Sequence, residues 1–316
     1  MAADPRDPRA SSLLVPSTTF DRGDFVLAGL PFDSSIPARS RPGAKHGPHA
    51  FREALPSLTT FGNGIELSGR ICRDLGDLEL PLDSIRAAHQ RVHAFARDVF
   101  AAGATPFFIG GDNGLTGAIL RGLADARPNL KLGLVVIDSH YDVREYDDED
   151  SLSSGTPYRR ALETPICHGS RTFILGTRDF ANSSYYDAWV REQGITTIPV
   201  DWFDLHAAWE LAAEVRAKLE QSSDAIFLSI DIDAAEVPGS SAAAPGTLTA
   251  RETIAIVRQL AASPKLIGAD LSELSPPWDV DGRTAKLAAR LFLEVFAPYT
   301  VRHNVQPSPR IEKESR

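Results

Sequence analysis

The chain has 316 residues, 43% hydrophobic, 8% aromatic and 24% charged, a composition that excludes a disordered, fibrous or coiled-coil protein and can fill one large core. Its 33 basic and 42 acidic residues leave a net charge of −9, and no stretch interleaves Lys and Arg with aromatics, which excludes nucleic acid as an expected partner. No apolar run approaches the ~20 residues of a membrane-spanning helix, and the opening MAADPRDPRASSLLVP lacks the apolar stretch of a signal peptide. A cytoplasmic protein with no membrane partner is expected. Cys72 and Cys167 lie far apart and outside any CxxC spacing, so neither a disulfide framework nor a cysteine zinc site is expected, and metal ligands would have to be His, Asp or Glu.

Residues 1–20 are rich in Pro, Ser and charge and read as a flexible tail unless docked, as do residues 302–316; a single domain spans 21–301. Within it, apolar runs of strand length occur at 25–30, 106–109, 132–137, 172–175, 196–200, 226–230 and 266–269. Several are continuous rather than alternating, as strands buried on both faces are. The clearest helical pattern covers 84–102, where Ile85, Ala88, Val92, Phe95, Ala96 and Val99 recur at spacings of three and four before Gly103 supplies the stop. Strand and helix in alternation predict a three-layer α/β/α domain with a mostly parallel central sheet. Ligands bind beyond the carboxyl ends of such strands.

The unusual residues cluster at those ends. The run closing at Ile137 is followed by Asp138, Ser139, His140, Tyr141 and Asp142, three potential ligands at alternate positions and so on one face of an extended stretch. The run closing at Ile230 leads to Asp231 and Asp233; the run 106–109 opens into Gly110, Gly111, Asp112 and Asn113, whose glycines permit tight turns; and the run 266–269 delivers Asp270 and Glu273. Asp138, Asp142, Asp231 and Asp233 in one pocket cannot all stay ionised without counter-charge, and two divalent cations balance them. An oxygen-rich shell with one imidazole suits a hard ion such as manganese. Water bridging two such ions loses a proton near neutral pH, so metal-assisted hydrolysis is the expected reaction class. His89 and His93 stand four apart on the 84–102 helix with no third ligand in sight and read as a solvated face; Asp147, Asp148, Glu149 and Asp150 read as a solvated loop tip. His46, His49, His168, His206 and His303 show no ligand spacing.

Taken in order, Pro31-Phe32-Asp33, Arg41-Pro42-Gly43-Ala44 with Gly47-Pro48 and Arg52, Gly110 to Asn113, Asp138 to Asp142, Ser229 to Asp233, and Glu273 with Pro276 give a chain that resembles the ureohydrolase superfamily of arginases, agmatinases and formimidoylglutamases over roughly residues 24–298. The resemblance implies an arginase-like fold, two Mn2+ per subunit with a bridging hydroxide, hydrolysis of a guanidino or formimino carbon–nitrogen bond, and a homo-trimer or homo-hexamer. It implies that Asp138 and Asp231 bridge the ions, that His140 and Asp233 complete one, and that Asp142 belongs to the other. Asn113 stands where the family usually has that second ion's histidine; an amide oxygen is a weaker donor than imidazole, so this ion is expected to be held loosely. By the same resemblance Asp142 orients the hydroxide and helps move its proton, and Glu273 holds the N–H groups of the amidinium. Arg144, Arg159 or Arg160 would bind substrate carboxylates.

Arginases and agmatinases place a proton-shuttling histidine where Ser154 stands, whereas Ser153-Ser154-Gly155-Thr156-Pro157 resembles formimidoylglutamase. The segment around Glu236 is shorter than the usual family stretch. The expected reaction is therefore N-formimidoyl-L-glutamate to L-glutamate and formamide. The acidic residues 147–150 suit a cationic substrate instead, which makes an agmatinase or guanidinobutyrase type of urea-releasing hydrolase the second reading. A non-catalytic relative, its site eroded at Asn113, is the third; five retained ligands argue against it.

Overall fold

Among the described residues the main sheet has nine strands, most of them short runs rich in Val, Ile, Leu and Phe: β1 (Leu14–Pro16), β2 (Phe25–Leu30), β3 (Cys72–Asp77), β4 (Thr105–Gly110), β5 (Leu132–Ile137), β6 (Thr172–Thr177), β7 (Thr196–Pro199), β8 (Ala225–Asp231) and β9 (Leu266–Ser272); a separate antiparallel pair joins Phe61–Gly62 to Ile65–Glu66. The nine pair parallel throughout in one sheet of order β1-β3-β2-β4-β9-β8-β5-β6-β7. The computed structural model describes residues 4–34 and 41–303.

Successive side chains leave opposite faces of a strand, and both faces are covered. Phe107 and Ile109 enter one core and Phe108 the other; Val135 and Ile137 oppose Leu134 and Val136 in the same way. The first core is closed by α1 (Gly47–Ala54), α6 (Ala208–Ser222), α7 (Ala250–Ala261) and α8 (Arg283–Arg302), the second by α2 (Ile85–Ala102), α3 (Gly114–Ala126), α4 (Pro157–Leu162) and α5 (Ser184–Glu192). Double coverage explains the continuous apolar runs, and the expected three-layer α/β/α architecture is what the chain adopts. The helix ends follow the sequence signals: the Ser84 hydroxyl accepts from the Ala87 N–H to cap α2, and Gly103 closes it at φ 81°. Thr249 and Glu252 form a reciprocal capping box on α7. No helix among the described residues is long and apolar enough to cross a membrane.

All seven expected strands are present, and two more extend the sheet on one side. β3 reads Cys-Arg-Asp-Leu-Gly-Asp and is mostly half-buried, so it has no apolar run to betray it. β1 is a three-residue edge strand ending in Pro16, a position where a missing N–H costs no ladder bond. Together with the short turn Ala10–Leu13, whose Ala10 and Leu13 are fully buried, it docks part of the stretch expected to be a tail. At the other end α8 runs to Arg302, and residues 304–316 lie outside the described residues.

One expectation on α2 is corrected. His89 does not sit on a solvated face: it is fully buried on the same side as Ala88, Val92 and Ala96, because α3 and α4 cover that side. Its Nδ1 lies 2.6 Å from Arg160 Nη1. His93 lies nearer the surface, with Nε2 2.7 Å from Asp125 Oδ2.

Candidate metal centre

The strands β4, β9, β8 and β5 are consecutive neighbours in the middle of the sheet, so the residues that leave their carboxyl ends converge. Two of the exits share one local device. Asp138, the first residue after β5, accepts the His140 N–H at 2.6 Å, and Asp231, the last of β8, accepts the Asp233 N–H at 2.9 Å. An aspartate bonded to the backbone amide two residues on turns the chain sharply, which returns His140 and Asp233 toward the aspartate that precedes each. The β4 exit is packed against the neighbouring strand end: a Cβ on Gly111 would fall 1.7 Å from the Phe32 carbonyl oxygen, so only glycine fits. Asp142 (φ 46°) and Glu273 (φ 65°) both occupy the left-handed backbone region, which non-glycine residues seldom adopt and which is often held at working sites.

Two sets of donor atoms result. Asp138, His140 and Asp233 bring their atoms within 4.8 Å of one another, and so do Asp138, Asp142 and Asp231. The sets share Asp138. His140 Nδ1 lies 3.2 Å from Asp233 and 3.4 Å from Asp138, close to the ~3 Å edge of an octahedron of ligands about 2.1 Å from a cation. Asp138, Asp231 and Asp233 are almost wholly buried, and Asp233 Oδ1 has no hydrogen-bond partner among the described residues. Burial and then the neighbouring carboxylates push Asp138 and Asp231 well above the usual range. Burial alone would lower His140, yet the charge of Asp233 and the bonds to Asp138 and Asp233 push it up to about 12. So many buried acids around an oxygen with no partner among the described residues could hold a cation, and these donors fit Mn2+.

Asn113 begins the α3 side of the same pocket. Its Nδ2 donates to Asp142 Oδ2 at 2.8 Å and reaches Asp138 Oδ2 at 3.3 Å. Its Oδ1 accepts from the hydroxyls of Thr116, Tyr158 and Ser272 at 3.3, 3.3 and 3.2 Å. The amide nitrogen, where the resemblance implied a ligating oxygen, therefore faces the carboxylates. Hydroxyls donate or accept, so this cage imposes no preference for either end of the amide.

Glu273 is buried, with burial and then the Asp112 charge pushing it well above the usual range. Its Oε1 accepts the Asn113 N–H at 2.6 Å and its Oε2 accepts from the Ser241 hydroxyl. A cleft opens over these groups, lined among others by His140, Asp142, Arg144, Ser154, Ser241 and Glu273. The Arg144 side chain is exposed and lies across Gly155, where a Cβ would come within 2.8 Å of Arg144 Cδ. Among the described residues it forms no ion pair.

The other two arginines are not brought to the cleft. Arg159 stacks 4.2 Å over the Trp189 ring and donates Nε to the Val143 carbonyl at 2.8 Å, and Arg160 is buried against His89. Two of the four acids of the loop are paired with arginines of neighbouring helices: Asp150 pairs with Arg86 at 2.9 Å, and Glu149 lies 3.4 Å from Arg121 and 3.5 Å from Arg160. Sequence reasoning assigned no role to Ser241, Thr116, Tyr158 or Ser272. Lone hydroxyls carry no spacing signal, although Tyr158 and Ser272 adjoin quoted motif residues.

Comparison with known proteins gives a consistent picture. The model of the arginase family matches residues 23–297. A formimidoylglutamase from Halobacterium salinarum is 35% identical over 306 residues, covering 94% of this chain and 95% of its own length. A guanidinopropionase from Pseudomonas aeruginosa is 33% identical over 280 residues, covering 85% of each chain. A formiminoglutamase from Trypanosoma cruzi, solved with Mn2+, superimposes with a TM-score of 0.81 at 26% identity, covering 93% of this chain and 98% of its own.

Proposed function

The chain belongs to the arginase family of metal-dependent hydrolases of carbon–nitrogen bonds, and from that premise we propose that it cleaves N-formimidoyl-L-glutamate to L-glutamate and formamide with the help of Mn2+. The observation that carries the reading is one cleft lined both by the overlapping carboxylate and imidazole donors and by the Arg144 guanidinium, which forms no ion pair among the described residues. Asp138, His140 and Asp233 would hold one ion, and Asp138, Asp142 and Asp231, with Asn113 beside them, a second and weaker one. Bound there, the ions supply the Lewis acidity that lets water lose a proton near neutral pH.

The remaining work falls to the chain's own side chains. Asp142 Oδ2 is engaged by Asn113, so Oδ1 is the oxygen left to orient the attacking water and take its proton. Glu273, pinned by the Asn113 amide and Ser241, presents a fixed carboxylate to the N–H groups of a planar amidinium, a pairing of matched charge and shape. Arg144 would receive a substrate carboxylate, with Ser154 on the same wall; Arg159, held on Trp189, is withdrawn from that role.

The substrate reading follows from charge. The pairing of Glu149 and Asp150 with arginines of neighbouring helices weakens the acidic loop as a lure for a dication such as agmatine, and Arg144 stands as a cationic charge beside the donors. The family premise extends the proposal to a homo-trimer or homo-hexamer built on a catalytic domain over 21–301. The free, buried Cys72 and Cys167 are in keeping with the reducing cytoplasm. Manganese-loaded protein incubated with formimidoyl-glutamate, agmatine, guanidinobutyrate and arginine tests the reading. Formamide from the first is expected, urea from a guanidino compound instead would transfer the assignment, and no product from any would mark a non-catalytic relative.

A further inference from the structure

The segment between β5 and α4 carries three metal donors at its start, Arg144 shortly after, and the Ser153 to Gly155 wall of the cleft at its end. Its base is closed by backbone: the Arg144 N–H donates to the Gly155 carbonyl at 2.8 Å and the Tyr158 N–H to the Asp142 carbonyl at 3.1 Å. Its tip is fastened differently. The Glu149 carboxylate lies among arginines from three helices, 3.7 Å from Arg86 of α2, 3.4 Å from Arg121 of α3 and 3.5 Å from Arg160 of α4, and accepts from Gln90 at 3.3 Å.

Arg160 is the central bolt. Only 2% of its side chain is exposed, and its second anchor is His89 Nδ1 at 2.6 Å. Burial and then the Arg160 charge press His89 down to about 3, so the ring is neutral and Nδ1 is free to accept. Glu149, Arg160 and His89 bond to none of the donors among the described residues. We infer that Glu149, Arg160 and His89 form a positioning strap that holds the cleft wall of residues 143–156, and with it Arg144, in place for an anionic substrate.

Two neutralising substitutions in the same loop test this, because they differ in what they break. Glu149→Gln removes the three-arginine anchor. Asp147→Asn removes the same charge, yet Asp147 pairs with no arginine among the described residues and bonds only by its backbone N–H to Ser151. If the loop acts through its net charge alone, both variants shift KM in the same direction, downward for an anion. The strap requires opposite outcomes: in Glu149→Gln, KM rises on the order of threefold to tenfold with kcat within twofold and manganese content unchanged, while Asp147→Asn leaves KM level or lowers it.

The kinetic arm rests on the amidine-hydrolase reading; hydrogen exchange does not. Amides of 143–156 should exchange several-fold faster in Glu149→Gln and in His89→Ala than in the parent or in Asp147→Asn, whichever substrate is turned over. Equal KM shifts in the two loop variants, or unchanged exchange in 143–156, would overturn the strap. Accelerated exchange with no turnover of any amidine would leave the strap standing and remove the substrate.

Discussion

At the scale of single residues the site is a problem of charge, and its predictions follow from that. Asp138 is common to both donor sets, so Asp138→Ala should abolish turnover, a loss on the order of a thousandfold or more, and leave the chain unable to retain manganese by metal analysis; retained turnover would remove the two-ion reading. Asn113→His replaces an amide that bonds Asp142 with an imidazole that can ligate. It should raise manganese affinity about tenfold or more, read by titration against a chelator; unchanged affinity would show that Asn113 does not limit the second ion. Asp138 and Asp231 were legible in the sequence because each directly follows an apolar run, and His140, Asp142 and Asp233 because they stand at alternate positions beyond those two. What was not legible is how the intervening side chains are spent: Arg144, Arg159 and Arg160 are equivalent on paper, and only packing separates the cleft-facing one from the one on Trp189 and the one on His89.

At the scale of elements, the strand ends bring buried acids close together, and not all of them face the cleft. Asp270 lies inside β9, where it accepts from the Thr116 hydroxyl, and burial pushes its carboxyl up to about 7. In the unfolded chain it titrates near 3.9, so between those values the folded state binds more protons. Its contribution to stability is full below about pH 4 and is lost as pH rises through about 7, on the order of 2 to 4 kcal/mol across that window. Asp270→Asn stays neutral throughout. Compared at fixed manganese by thermal unfolding, the parent should lose ground to the variant as pH rises from 4 to 8, and a constant difference would refute the buried neutral acid. Six of the seven strands legible in the sequence are buried on both faces, and β7 is a partly exposed margin strand; β1 and β3 escaped because a sheet margin tolerates proline and half-buried polar residues. His89 escaped for another reason: it was read with His93 as a solvated face, and a histidine there gave no sign of the buried arginine that meets it.

At the scale of the whole molecule, the outlying strands are part of the fold rather than ornaments. Ala10 and Leu13 are fully buried, and β1 pairs with β3 through Leu14–Cys72, Val15–Arg73 and Pro16–Asp74. Removing residues 1–16 should therefore lower stability by roughly 2 to 4 kcal/mol, seen as a fall in Tm, with the manganese content of the folded protein unchanged; an unaltered Tm would show that this docking contributes nothing. The order of the sheet also bears on how the molecule can be altered. The cluster of acids draws on the four middle strands, with β1, β3 and β2 on one flank and β6 and β7 on the other. Those flanks act as bumpers: a reporter grafted ahead of β1 would hang three ribbons away from the reacting groups, and a chain tagged there keeps its chemistry insulated from the cargo.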